Sequence, residues 1–174
     1  MPEITVTVPA GTTVAQVHAI IARLPRMVAA GGAKVEAAMK VVGNNILTNV
    51  VRAFHTKSAG GTDEAGERWA SLSPLTVIRK RGRTDILKDK DELVESLTPN
   101  SGSSNQVFKI NGATGAFGTR RKWAHIHHRG SLRIRQRRLW PTLKRWPRKW
   151  KMDVLRPIRD AAVELLVDAL RRGY

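Results

Sequence analysis

The sequence predicts an α+β fold: a long N-terminal helix and a C-terminal helix packed on a small antiparallel β-sheet, with an extended N-terminal arm. Three observations predict it. Apolar residues recur at three- and four-residue steps over 33–55 and again over 154–172, the period of helices with one buried face. Between them, Asn111-Gly112 joins two short runs, and Asn-Gly is the strongest short-range hairpin signal. A chain of 174 residues, 41% of them hydrophobic, suits a single core.

Residues 1–30 read as the arm and 31–174 as one α+β domain. Glu3, Ile4, Thr5, Val6, Thr7 and Val8 alternate polar with β-branched and read as a short strand, bounded by Pro9 and Gly11. A helix over 14–24 comes next, with Thr12 or Thr13 as its cap and Val14, Val17, Ile20, Ile21 and Leu24 on one face. Pro25 is expected to interrupt it. The long helix carries Val35, Met39, Val42, Ile46, Val50 and Phe54 as one stripe. Gly43 inside it costs about 1 kcal/mol relative to alanine. Residues 57–68 are Gly-rich and aperiodic and read as an exposed, flexible loop.

Ser73-Pro74 starts a short helix to about Arg81, serine as cap and proline in the first position. Residues 87–98 carry Leu87, Leu93, Val94 and Leu97 in a pattern open to helix or strand, and 99–105 are turn-rich. The hairpin pairs 106–110 with 113–118 through Asn111-Gly112. One helical turn is expected over 123–129. Residues 131–151 show no clean period and hold Pro141 and Pro147. The last helix carries Val154, Ile158, Ala161, Ala162, Leu165, Leu166, Ala169 and Leu170 on one side, and its final Arg171 and Arg172 suit the helix dipole.

Charge narrows the function classes. The chain holds 31 Lys and Arg against 14 Asp and Glu, a formal +17. Such a field draws nucleic acid, acidic membrane surfaces or acidic protein faces. It is concentrated: no Asp or Glu occurs from Ser96 through Met152. That window contains Arg120, Arg121, Lys122, Arg129, Arg133, Arg135, Arg137, Arg138, Lys144, Arg145, Arg148, Lys149 and Lys151, interleaved with Trp123, Trp140, Trp146 and Trp150. Two functional readings fit the segment 120–151, beside the plain one of an unspecific solvated surface. As a protein interface, tryptophans anchor and cations meet acidic neighbours. As a nucleic-acid surface, cations neutralise phosphates and tryptophans stack on bases.

There is no cysteine, so thiol catalysis, disulfides and Cys-based zinc sites are excluded. No stretch reaches the roughly 18 apolar residues of a membrane span, so no membrane partner is expected. The N-terminus lacks the basic start and apolar run of a signal peptide, and a cytoplasmic origin is expected. His125, His127 and His128 have no carboxylate near in sequence and many cations around them, so no metal site is expected, and His127 is read as a packing and hydrogen-bonding residue. Asp85, Asp89, Asp91, Glu92 and Glu95 are interleaved with Lys88 and Lys90, the composition of a solvated face more than of a nuclease centre. None of the nucleophile-elbow, zinc-peptidase or P-loop motifs occurs. Neither an enzyme nor a cofactor is expected.

The order of short motifs carries a resemblance. The long helix ends in Arg52-Ala53-Phe54, and a Gly-rich loop leads to Trp69-Ala70-Ser71-Leu72-Ser73-Pro74-Leu75-Thr76. Leu93-Val94-Glu95-Ser96-Leu97 comes after it, then the hairpin, then Trp123-Ala124-His125-Ile126-His127-His128-Arg129-Gly130. The succession over residues 45–172 resembles the virion-morphogenesis and tail-completion (head–tail joining) proteins of tailed phages. Lys90-Asp91 stands where that family frequently has Thr-Gly. The resemblance implies a structural protein of the phage neck between head connector and tail, working as a homo-oligomeric ring. Its partners would be other neck and tail proteins, with non-specific DNA contact also open. Its location would be the virion, and the host cytoplasm during assembly. It also implies structural roles for Trp69, Leu72, Thr76, Leu93, Ser96, Trp123, Ala124, His127 and Gly130. The other reading of the residues, from a different class, is a nucleic-acid-binding module using 120–151.

Overall fold

A computed structural model of the chain describes residues 14–29, 32–88, 91–132 and 134–171. The strand expected over 3–8, its flanking caps, and Asp89, Lys90, Arg133 and Arg172 lie outside the described residues. The elements in chain order are α1 (Val14–Ala29), α2 (Ala33–Ser58), α3 (Pro74–Arg79), α4 (Glu92–Glu95), β1 (Gln106–Asn111), β2 (Thr114–Thr119), α5 (Lys122–Arg129) and α6 (Arg148–Arg171). The α+β expectation holds: long helices at both ends and a two-stranded antiparallel sheet.

The helix α2 is the spine. Its apolar stripe buries Val35, Val42, Leu47, Val50, Ala53 and Phe54, while Met39 and Ile46 are half-buried. α6 packs antiparallel along it, and polar pairs fix the register. Lys34 at one end reaches Asp168 at 2.7 Å and Glu164 at 3.4 Å. Further along, Asn45 donates to the Asp153 carbonyl at 2.8 Å and Asn49 to the Asp153 carboxylate at 2.9 Å. α1 packs on the far end of α6. It runs through Pro25 to Ala29, past the expected break. Proline removes one backbone donor and crowds the preceding turn. Beyond it, Met27 packs against Ala169 and Leu170 of α6, which favours continuing the helix.

The hairpin covers the middle of α2. Its register pairs Phe108 with Phe117 and Asn111 with Thr114. The turn is therefore Gly112-Ala113, one residue later than expected, with Gly112 in the left-handed region at φ 55°. Phe117 explains the glycine in the middle of α2. A Cβ on Gly43 would stand 2.3 Å from the Phe117 ring, and one on Gly115 within 2.4 Å of it. The two glycines form a slot for this ring, so the helix and the hairpin approach closely.

Two apolar clusters share α2. One joins Leu47, Val50 and Ala53 to Leu97 and Trp150, with Phe108 and Phe117 at its edge. The other gathers Phe54, Trp69, Ile86, Val94, Ala124 and Leu139. α6 begins at Arg148, well before the expected 154, because the buried Trp150 already belongs to the core. α3 is capped as its sequence predicts: the Ser73 side chain accepts from the Thr76 N–H, and Pro74 is the first helical residue. It stops at Arg79 and buries none of its residues.

The stretch 57–68 departs from the expected exposed loop. Its first two residues complete α2, and Lys57, Ser58 and Asp63 are buried. Asp63 organises the turn beyond it by accepting from the Ala65 and Glu67 N–H groups at 3.0 and 2.8 Å. A bridge between Thr62 and Arg68 closes that turn.

Candidate interaction surface

Residues 120–151 form the candidate surface, and its placement begins at a buried charge. Lys57, at the end of α2, has 0% side-chain exposure. Its ammonium lies 3.0 Å from Asp63 Oδ2 and 3.9 Å from Glu67 Oε2, and it donates to the Arg138 carbonyl at 2.8 Å. Asp63 Oδ2 makes no aligned hydrogen bond, so that contact is chiefly coulombic. The Trp69 ring stands below the ammonium, 5.3 Å from it to the centroid, a favourable cation–π distance. The Trp69 indole N–H donates to the same Arg138 carbonyl at 2.9 Å. One backbone carbonyl thus takes two buried donors, and it fastens the aperiodic stretch after α5 to the core. Glu67 faces the Arg138 guanidinium at 3.6 Å and that of Arg145 at 3.8 Å.

The motif residues sit around this clasp. Trp69 meets Phe54 edge-on at 5.2 Å between centroids. It packs on α2 as expected, but at Phe54, about one turn after Val50 and about two after Ile46. Leu72 and Leu93 pack against the same cluster, and Ala124 is buried in it. Ser96 is fully buried, with its Oγ 2.8 Å from the Leu93 carbonyl and 2.7 Å from Thr119 Oγ1. A hydroxyl has one hydrogen; Ser96 therefore donates to the carbonyl and accepts from Thr119, which links α4 to the hairpin. Thr76 is half-buried in the first turn of α3. Gly130 ends α5 at φ 77°, and a Cβ there would meet the Gln136 backbone at 3.0 Å. Trp123 differs from the rest. It is 64% exposed and contributes nothing to the core.

The tryptophans interleaved with the cations are turned inward, apart from Trp123. Trp140 stacks on His128 at 4.8 Å. Trp146 donates to the Pro141 carbonyl and Trp150 to Glu64. Their spacing among arginines is a consequence of core packing, and no row of exposed rings is available for stacking bases.

His127 and His128 diverge, as adjacent helical residues do. His128 Nδ1 accepts from the Leu139 N–H at 3.2 Å. The His127 carbonyl accepts from the Arg137 N–H at 2.7 Å, but its buried Nδ1 has no partner. Burial holds both imidazoles below their ordinary pKa, and Arg137 beside His127 and Arg138 beside His128 add to the effect. Burial, with Arg135 nearby, likewise lowers the Arg137 guanidinium from its ordinary value, without approaching neutrality. Among the described residues, no three His, Asp or Glu side chains are grouped to hold a metal ion, and no helix is long and apolar enough to cross a membrane.

The cations divide into two sets. Arg121 pairs with Glu92 at 2.9 Å, and Arg138 and Arg145 with Glu67. Arg120, Lys122, Arg129, Arg135, Lys144, Arg148, Lys149 and Lys151 are exposed and make no ion pair among the described residues. The segment also forms one wall of a cleft of 1080 Å³. α5 and residues 134–137 face α3 and residues 86–88 and 91–93 across it. The cleft brings in Arg79 and Lys88, which sequence reasoning left out of the surface because they lie in a segment that also carries acids. Comparison with family models, with curated proteins and with solved structures gives no match to this chain.

Proposed function

We propose that this chain is a structural subunit of a tailed-phage neck, one member of a ring that joins the head connector to the tail, and that the surface of 120–151 is its contact with acidic neighbours. The observation that carries the reading is the mode of display. The segment is fastened to the core through its backbone at Arg138, while most of its cations are exposed and have no acidic partner among the described residues. Groups held in place but left uncompensated suit a partner that supplies the opposite charge. The motif residues behind the resemblance support it as a fold signature, since Trp69, Leu72, Leu93 and Ala124 meet in one cluster. A chain at +17 repels its own copies, so ring formation is expected on the acidic partner and not in isolation.

A second reading, a nucleic-acid-binding module, is favoured by the same uncompensated cations. For that reading, log affinity falls linearly with log salt, about −0.9 per phosphate neutralised on duplex DNA. The inward tryptophans leave it only Trp123 for stacking.

Localisation tests the first reading. Antibody to the purified chain, used for immunogold electron microscopy on particles made by its producing cell, is expected to label the head–tail junction. The variant Arg120→Glu, Lys122→Glu, Arg135→Glu is expected to leave filled heads and finished tails unjoined. Particles without label, or labelled on capsid or fibres, refute the reading.

A further inference from the structure

The cleft between α3 and α5 has a chemistry of its own. Arg79 from one wall and Arg135 and Arg137 from the other line it, none with an acidic partner within reach among the described residues. Arg137 Nε and His127 Nδ1 are both buried without a hydrogen-bond partner, and both residues line the cleft. A buried polar atom left unpaired costs about 1–3 kcal/mol, so two in one cleft wall mark a place where a ligand's polar groups gain more than they would elsewhere. The lining also carries apolar side chains, Leu72, Leu87, Leu93 and Ile134, together with the exposed ring of Trp123.

We propose that this cleft receives an acidic, partly apolar segment of a protein partner, with carboxylates on Arg79, Arg135 and Arg137 and apolar side chains on Trp123 and Leu87. The proposal rests on the reading of 120–151 as a protein-facing surface, and it names where on that surface the partner enters. Three features favour a peptide over a nucleic acid. The apolar lining is matched by leucine-like side chains and not by a sugar–phosphate chain. Asp91 and Glu92 also line the cleft; they oppose a continuous polyanion, but a peptide can space its carboxylates around them. Among the described tryptophans only Trp123 offers an exposed ring for stacking, whereas nucleic-acid platforms use successive rings.

The test uses the full chain and two fluorescein-labelled probes at equal ionic strength: an acetylated, amidated peptide of alternating Glu, Leu and Asp, and a short thymidine oligonucleotide. The peptide is expected to bind and to shift the emission of Trp123 to the blue, a shift lost in Trp123→Phe. Arg79→Glu with Arg135→Glu weakens peptide binding at least about tenfold, the scale of one lost charge-assisted hydrogen bond. Both positions are exposed, so the fold does not depend on them; Arg137→Met, nearer the core, is the confirming variant. Lys40→Glu, on the exposed side of α2, leaves binding unchanged. Peptide affinity insensitive to the Arg79 and Arg135 changes but lost in Lys149→Glu with Lys151→Glu overturns the cleft and leaves the protein-facing surface standing. Binding of the oligonucleotide with none of the peptide overturns the surface reading itself.

Discussion

Replacing Lys57 by methionine keeps the length of the side chain and removes its charge. The side chain has no exposure, and neither Asp63, at 1%, nor Glu67, at 12%, can turn to bulk water without opening the turn. Removing one partner of such a pair strands the other charges, which costs about 3–5 kcal/mol. The Arg138 carbonyl keeps only the Trp69 donor. At this chain length about 2–4 °C of Tm accompanies each kcal/mol, so Lys57→Met should lower Tm by about 6–20 °C. Urea unfolding followed by far-UV circular dichroism measures the loss directly. Asp63→Asn retains the Oδ1 that accepts from Ala65 and Glu67 while removing the charge. Combined with Lys57→Met, it should lose about 0.5–3 kcal/mol less than the two single losses added together. Arg145→Ala, which breaks a pair on a 63% exposed side chain, should cost no more than about 1 kcal/mol. If Lys57→Met loses less than about 1 kcal/mol, or the two changes simply add, the clasp around Lys57 is not a coupled buried network.

Gly43→Ala sets two magnitudes against each other: about 1 kcal/mol of helix propensity is gained, and about 1–3 kcal/mol is lost to overpacking against Phe117. Net destabilisation in urea is expected, relieved when Phe117→Leu is added; stabilisation by Gly43→Ala alone would show that the hairpin yields. His127 and His128 set a pH dependence. Their folded pKa values lie below the unfolded one, so the unfolded chain takes up protons that the folded chain resists. Stability should be level above roughly pH 6.5 and fall as the pH drops below it, read as a lower urea midpoint at pH 5.5 than at 7.5. A midpoint that rises on acidification contradicts the burial of these rings.

Elements whose cause is local were legible in the sequence. The Ser73-Pro74 start of α3 and the Asn-Gly hairpin depend on a few adjacent residues, and the stripe of α2 on one period. The hairpin turn shifted by one residue because register is decided by how Phe117 seats on Gly43, a contact between distant segments. Pro25 and the early start of α6 were missed for the same kind of reason: Met27 and Trp150 are drawn in by partners far along the chain. In the candidate surface, the uncompensated cations were legible from the acid-free window. The clasp was not, since a lysine, two loop carboxylates, an indole and a carbonyl 81 residues away share no spacing. Composition also hides direction, and so the tryptophans interleaved with outward arginines turn inward.

The antiparallel docking of α2 on α6 also sets a timetable for synthesis. Its fastening contacts span 104 to 134 residues. At about 5–20 residues per second, the ribosome extends the chain for several seconds between completing one helix and the other. During that interval the stripe of α2 has the hairpin for cover and lacks its longest partner. The nascent chain is therefore expected to stay protease-sensitive within α2 until α6 has left the exit tunnel. Stalled chains of increasing length, digested on the ribosome, should show protection appearing in one late step; protection of α2 in chains that stop before α6 would show that the hairpin alone completes the spine.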